Sequence, residues 1–315
     1  MPSWRSAPRT SGGFPSAPDM ADPRLRLSRW IAAGRPRTLP LAVAPVLVGI
    51  ALAAFETGGL APATALATLL AAVAIQVGTN LHNDASDFER GTDTQDRLGP
   101  ERAAAQGWFT ARQVKRAAHL AFLTALLLGI LLTLRGGWPI LLLGSASLVA
   151  GYAYTGGPRP IAYGPFGEVF VLLFFGVAAV TGSYYLQTLA FAPTALALGV
   201  ALGLPAAAVL TLNNYRDRET DRLAGRRTLC HYLGPRNTRL LYASLLLTPF
   251  PLLYLLDLPG SLWPLVAALP FGAWLISRIA WGATGVALNP LLGATALFQS
   301  ALAVLLILGF ALPSA

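Results

Sequence analysis

From residue 39 onward the chain is a succession of long apolar runs separated by short polar breaks. About 20 apolar residues carry a helix across a bilayer. On that measure the runs predict nine spans, at about 39–55, 61–82, 117–134, 138–155, 166–188, 192–213, 238–256, 261–280 and 290–312. Pro45, Gly176, Gly203 and Pro205 fall inside these runs, where neighbouring helices satisfy the backbone that such residues disturb. The pattern therefore predicts an all-α integral membrane bundle. Residues 1–28 are rich in Pro, Ser, Gly and Arg and lack the apolar centre of a signal peptide. They are expected to be a disordered extension, with 29–315 forming one membrane domain. Met20 offers an alternative start.

Composition agrees: 55% of residues are hydrophobic and 12% charged, against about 25% charged in an average soluble domain. The net charge of +9 invites a nucleic-acid reading, but the basic residues sit in the gaps between apolar runs. With the N-terminus in the cytoplasm, the nine spans place 22 of the 23 Lys and Arg residues on that side and leave only Arg135 outside. That is the positive-inside pattern, and it predicts a multi-pass protein of the inner (cytoplasmic) membrane with its C-terminus outside. No nucleic-acid partner is expected, and no protein partner is inferable. The single cysteine, Cys230, excludes an internal disulfide.

Nine of the fourteen acidic residues fall in 84–101 and 217–221, both at the cytoplasmic ends of even-numbered spans. In the first cluster Asn80, Asn83, Asp84 and Asp87 follow i, i+3, i+4, i+7 spacing and share a helix face; in the second, Asn213, Asp217 and Asp221 do. Like charges at this spacing repel, and carboxylates near a helix C-terminus oppose its dipole. Such an arrangement calls for a cation. Ligands of the Asp and Asn type suit a hard ion, Mg²⁺, which takes one or two carboxylates plus phosphate oxygens. Two separated clusters imply a diphosphate bridging between them. Arg90, Arg97, Arg102, Arg159 and Arg226 are candidates to bind it. His82, His119 and His231 read as packing or surface residues.

These strings resemble the UbiA-type membrane prenyltransferases, in the branch that acts on dihydroxynaphthoate. The resemblance begins near Trp30 and covers nearly all that follows. It rests on Arg35-Pro36-Arg37-Thr38-Leu39-Pro40; on Asn80-x-x-Asn83-Asp84-x-x-Asp87-x-x-x-Gly91-x-Asp93 followed by Asp96-Arg97-x-Gly99-Pro100-x-Arg102; on Tyr154-Thr155-Gly156-Gly157-Pro158-Arg159-Pro160 and Gly164-x-x-Gly167-Glu168; and on Asn213-Asn214-x-Arg216-Asp217-x-x-x-Asp221-x-x-x-Gly225-Arg226. The hydroxybenzoate branch commonly has an acid where this chain has Gly91; here the acid comes two residues later, at Asp93. Arg226 stands where a Lys is common.

The resemblance implies a nine-helix UbiA-type bundle with a cap on its cytoplasmic side. It implies Mg²⁺, two ions, held by Asn83, Asp84, Asp87, Asp93, Asn213, Asp217 and Asp221, with Asp84, Asp87, Asp217 and Asp221 as the catalytic acids. The substrates would be a polyprenyl diphosphate and an aromatic acid, 1,4-dihydroxy-2-naphthoate, joined with loss of CO₂ and diphosphate to give demethylmenaquinone. Asn80, Tyr152, Tyr154, Tyr184 and Tyr185 are expected to line the substrate cavity, with aromatic faces stabilising an allylic cation. A sister activity on hydroxybenzoate, homogentisate or a chlorin is the nearest alternative. A cation transporter or channel would instead carry its acids near the bilayer midplane.

Overall fold

The computed structural model describes residues 22–92, 98–256, 258 and 260–313. Its regular elements are helical: α1 Pro23–Ala33, α2 Leu39–Thr57, α3 Pro62–Glu89, α4 Ala111–Ala153, α5 Gly167–Leu172, α6 Ala179–Thr188, α7 Pro193–Arg216, α8 Arg218–Leu223, α9 Leu229–Leu247, α10 Pro249–Tyr254, α11 Leu269–Ala280 and α12 Asn289–Phe310. Asp22 caps α1 by accepting the Arg24 N–H at 2.8 Å, and Pro23 takes the first turn, where no N–H is needed. Residues 23–28, assigned from sequence to a disordered extension, are therefore helical; residues 1–21 lie outside the described residues.

Among the described residues seven continuous helical stretches are long and apolar enough to cross a membrane: Pro23–Thr57, Pro62–Glu89, Ala111–Ala153, Gly167–Thr188, Pro193–Arg216, Trp263–Ala280 and Gly285–Phe310. They do not establish the expected count of nine. Two of the expected spans, 117–134 and 138–155, share α4, whose backbone turns at Gly137 (φ 65°) just before Pro139. A positive φ is open to glycine without penalty, and Pro139 cannot continue the hydrogen-bond ladder, so the two residues together make the bend. The expected span at 238–256 falls on α9 and α10, which meet at Thr248; the first half of α9 carries Arg236 and Arg239.

Helix α7 runs through the centre, with Leu198, Ala201, Leu202, Ala206, Ala207, Ala208 and Leu212 essentially inaccessible. Small residues let its neighbour approach. A π-helical turn, Leu173–Ala178, joins α5 to α6. There a Cβ on Gly203 would come within 2.6 Å of the Leu172 carbonyl oxygen, and one on Gly199 within 2.7 Å of the Val177 Cα. Gly199 and Gly203 form the small-xxx-small spacing of close membrane packing. This contact fixes the start of α5 against the end of α7, which matters for the site. At the periphery, α4 turns Leu120, Leu127, Leu131 and Leu141 outward, as a lipid-facing helix does.

The helix termini gather at two ends. The end of α3, the start and end of α4, the start of α5, the end of α7 and the starts of α9 and α12 gather where both acidic clusters lie. Loops there are cross-tied: Arg90 donates to the Gly157 carbonyl at 2.6 Å, the Arg227 N–H to the Tyr163 carbonyl at 2.9 Å, and Asn289 to the Leu98 carbonyl at 2.8 Å. At the opposite end Arg135 donates to the Leu186 carbonyl at 2.7 Å.

Candidate active site

The first cluster continues helically past the apolar part of α3, as the spacing predicts, but its face divides into two rows. Asn80 and Asp84 turn toward the N-terminal segment and the loop after α3. Asn80 donates to the Gly34 carbonyl and to the Thr38 hydroxyl, each at 3.0 Å. The carboxylate of Asp84, 1% exposed, accepts the Ala103 N–H at 2.8 Å and the Ala104 N–H at 3.1 Å. The same loop carries Phe109, stacked on Trp30 of α1 at 3.9 Å.

Asp84 was expected to be a catalytic metal ligand. Both of its oxygens are instead committed to the backbone of the loop it holds. Asn80, expected in a substrate cavity, is likewise a tie between α3 and the chain before α2. Asp84 satisfies backbone donors, and Asn80 acceptors, that would otherwise be buried without partners.

Asn83 and Asp87 form the other row and face the site. The amide oxygen of Asn83 accepts the Thr155 hydroxyl at 2.5 Å. Asp87, 2% exposed, is surrounded by donors: Arg226 at 2.6 Å, Arg102 at 3.2 Å and the Tyr163 hydroxyl at 3.3 Å. Arg226 also meets Asp221 at 3.6 Å. One guanidinium thus joins the two clusters, whose acids are 134 residues apart in sequence. It lies over the Tyr163 ring at 4.4 Å, with Arg90 at 5.3 Å from the same ring. Burial works against the charge on Arg226, but Asp87, Tyr163 and Asp221 outweigh it, so its proton is held more firmly than usual.

In the second cluster α7 ends at Arg216, and Asp217 leaves ideal helical geometry (φ −92°, ψ 6°). The row persists all the same, because the Asp221 N–H still bonds the Asp217 carbonyl at 2.7 Å. Arg216 folds back on this row. It grips Asp217 with two bonds, 2.7 and 2.5 Å, and reaches the amide oxygens of Asn213 at 2.9 Å and Asn289 at 2.8 Å.

The other candidates divide. Arg102 and Arg226 face Asp87; Arg90 flanks Tyr163; Arg159 is exposed. Asp93 and Arg97 lie outside the described residues. Of the candidate tyrosines, Tyr152 and Tyr154 are at this end, and the Tyr154 carbonyl accepts the Ala162 N–H at 2.9 Å, beside Tyr163. Tyr152, 36% exposed, packs against Phe122 and His82 between α3 and α4. Tyr184 and Tyr185 bond Glu56 and the Gly136 carbonyl at the far end of the bundle. They follow Glu168 by 16 and 17 residues, about 25 Å along a helix. As lining for a site at the acidic end, Tyr184 and Tyr185 are corrections. Tyr163, Thr92 and Asn289 take part in the site or its ties and went unremarked in the sequence, where nothing but their neighbourhood to the motifs marks them; Thr155 appeared there only as part of a motif.

The donor set is all oxygen: carboxylates of Asp87, Asp217 and Asp221 and amides of Asn83 and Asn213. No trio of His, Cys, Asp or Glu close enough to hold an ion by itself occurs among the described residues. An all-oxygen set suits a hard ion such as Mg²⁺.

Residues 42–285 match the model of the UbiA prenyltransferase family. The chain belongs to that family. Its curated relatives include the 1,4-dihydroxy-2-naphthoate octaprenyltransferase of Escherichia coli (strain K12), 39% identical over 76% of this chain and 80% of the relative. The enzyme of the same name from Mycobacterium tuberculosis (strain ATCC 25618 / H37Rv) is 38% identical over 86% and 92%. Among solved structures, a UbiA homolog from Archaeoglobus fulgidus bound to DMAPP and Mg²⁺ superposes with a TM-score of 0.67 over 90% of this chain and 99% of that one. At 17% identity this last likeness speaks for the fold. The chain is thus an all-helical, multi-pass UbiA prenyltransferase.

Proposed function

We propose that this protein transfers a polyprenyl group from its diphosphate to 1,4-dihydroxy-2-naphthoate, releasing CO₂ and diphosphate and giving the hydroquinone demethylmenaquinol, which a separate oxidation turns into demethylmenaquinone. The observation that carries the site is the bridge Asp87–Arg226–Asp221, which brings two distant acidic clusters to one place. The choice of acceptor is supported by the curated relatives at 38–39% identity. Asp87, Asp217 and Asp221, with the amide oxygens of Asn83 and Asn213, would hold two Mg²⁺ ions, with Asp93 as a further ligand. The ions would neutralise charge building on the departing diphosphate.

Arg102 and Arg226, which now balance Asp87, are placed to donate to the diphosphate; Arg90 and Arg97 would assist from the cap. Tyr163 presents an aromatic face under Arg226 and Arg90, steadying both cations. The bundle would lie in the inner membrane with the acidic end and the N-terminus in the cytoplasm and the C-terminus outside, through nine crossings counting the two arms of α4 and the α9–α10 pair.

The test is a panel: purified protein in detergent with Mg²⁺, labelled prenyl diphosphate, and dihydroxynaphthoate, hydroxybenzoate, homogentisate and a chlorin as acceptors. Dihydroxynaphthoate is expected to give the prenylated, decarboxylated product at rates at least tenfold above the others. Product from another acceptor alone would overturn the choice of acceptor and leave the diphosphate site standing.

A further inference from the structure

Glu168, like Asp84, is a buried carboxylate at the acidic end with no ion pair among the described residues, but Asp84 has a backbone donor on each oxygen and Glu168 does not. It occupies the first turn of α5 and is 5% exposed. Its Oε1 accepts the Asn214 side-chain N–H at 2.9 Å. Its Oε2 is buried and has no hydrogen-bond partner. A buried acceptor without a donor is costly, and a charged one more so. A Cβ on Gly203 would come within 2.6 Å of the Leu172 carbonyl oxygen and one on Gly167 within 3.0 Å of Leu210, so α5 packs closely against α7 along its length.

Its position gives the open oxygen a use. Asn214 precedes Asp217 by three residues on α7, so Glu168 sits about 5 Å deeper than Asp217, at the level of Asn213. Tyr163, whose hydroxyl meets Asp87 and Arg226, precedes Glu168 by five residues, which ties Glu168 to the same end of the bundle. With a diphosphate held by the clusters, the reacting carbon of its chain and the ring that attacks it lie on this deeper side. We infer that Glu168 receives a hydroxyl of the aromatic acceptor on Oε2 and takes its proton during transfer, while Asn214 fixes the carboxylate through Oε1.

The step balances without further reagents. The O–H proton passes to Glu168, and the O–H bonding pair becomes the ring ketone's C–O π bond. That drives the ring's π pair at the ortho carbon to form the new C–C bond to the prenyl carbon. The prenyl C–O bond breaks with its pair leaving on diphosphate. Loss of CO₂ then returns a bonding pair to the ring and restores aromaticity. This assignment rests on the aromatic-acceptor reading above, and the controls separate the two.

The experiment compares wild type, Glu168→Gln and Glu168→Asp in lipid nanodiscs, reading kcat, KM for each substrate, melting temperature and Mg²⁺-dependent binding of prenyl diphosphate. Wild-type turnover with dihydroxynaphthoate tests the acceptor reading by itself; if another acceptor is used instead, the variants are measured with that one. Removing a positioned base is expected to lower kcat by about 10²–10⁴-fold. Glu168→Gln should therefore lose at least a hundredfold in kcat, with prenyl diphosphate affinity within twofold of wild type and an unchanged melting temperature. Glu168→Asp should recover part of the loss. Since Oε2 has no partner to lose, failure of Glu168→Gln to fold would reveal a structural role and overturn the proposal. So would a kcat within threefold of wild type, or a parallel loss of prenyl diphosphate affinity.

Discussion

Asp87→Asn should insert and fold as wild type does, yet turn over about a thousandfold more slowly with saturating Mg²⁺, the scale reached when one preorganised electrostatic contact to a transition state is removed. The change keeps the side chain's shape and an acceptor oxygen for Tyr163, so the packing around residue 87 survives. What it removes is charge at the point where Arg226, Arg102 and Tyr163 all converge. An amide neither holds a hard cation as a carboxylate does nor keeps the two guanidiniums in register. Steady-state turnover of the purified variant, beside its melting temperature, is the check. Turnover within tenfold of wild type would remove Asp87 from the site.

Arg226→Ala is expected to raise the KM for prenyl diphosphate by about 10–100-fold, corresponding to a charge-assisted hydrogen bond of roughly 1.5–3 kcal/mol, and to lower kcat as well. Two effects combine. The diphosphate loses a donor, and Asp87 and Asp221 face each other without the cation that separates them. Arg226→Lys should fall between, because an ammonium keeps the charge but cannot reach both carboxylates with a planar fork. Kinetics at varied prenyl diphosphate, with the acceptor saturating, distinguish these. Equal KM values for wild type, Ala and Lys variants would mean that Arg226 only braces the loops.

Much of this site was legible from spacing. Asp87, Asp217 and Asp221 could be found because helical periodicity and an unfavourable concentration of like charge mark them together. Asp84 shares the same signal, and in the structure it holds the backbone of the loop at 103–104. Residues 83 and 84 are neighbours on a helix, about 100° apart, so a face wide enough to hold both presents them to different surroundings. Only the loop at 103–104, which no periodicity describes, decides which row meets substrate. The tyrosines failed for a different reason. Aromatic composition says nothing about depth, whereas the helical rise from Glu168 carries Tyr184 and Tyr185 to the far end.

The N-terminal helix was legible in part, since Asp22-Pro23 is an N-cap followed by a first-turn proline, but overall composition concealed it. The bend at Gly137 was foreseen as a gap between two spans, and it is a turn within one helical stretch. Tyr163 lies in a short loop with no pattern of its own; it becomes visible only when the loops after α4 and α8 are brought together.

The account's central claim is that two clusters form a single site for one Mg²⁺-bound diphosphate. It is tested most directly by measuring Mg²⁺-dependent binding of a prenyl diphosphate to wild type, Asp87→Asn, Asp221→Asn and the double variant. Residues acting on one ligand as a unit are non-additive. Each single variant should weaken binding at least tenfold, and the double variant by little more than the worse of the two. A single variant that binds as wild type does, or a double variant whose loss is the full product of the two single losses, would contradict it.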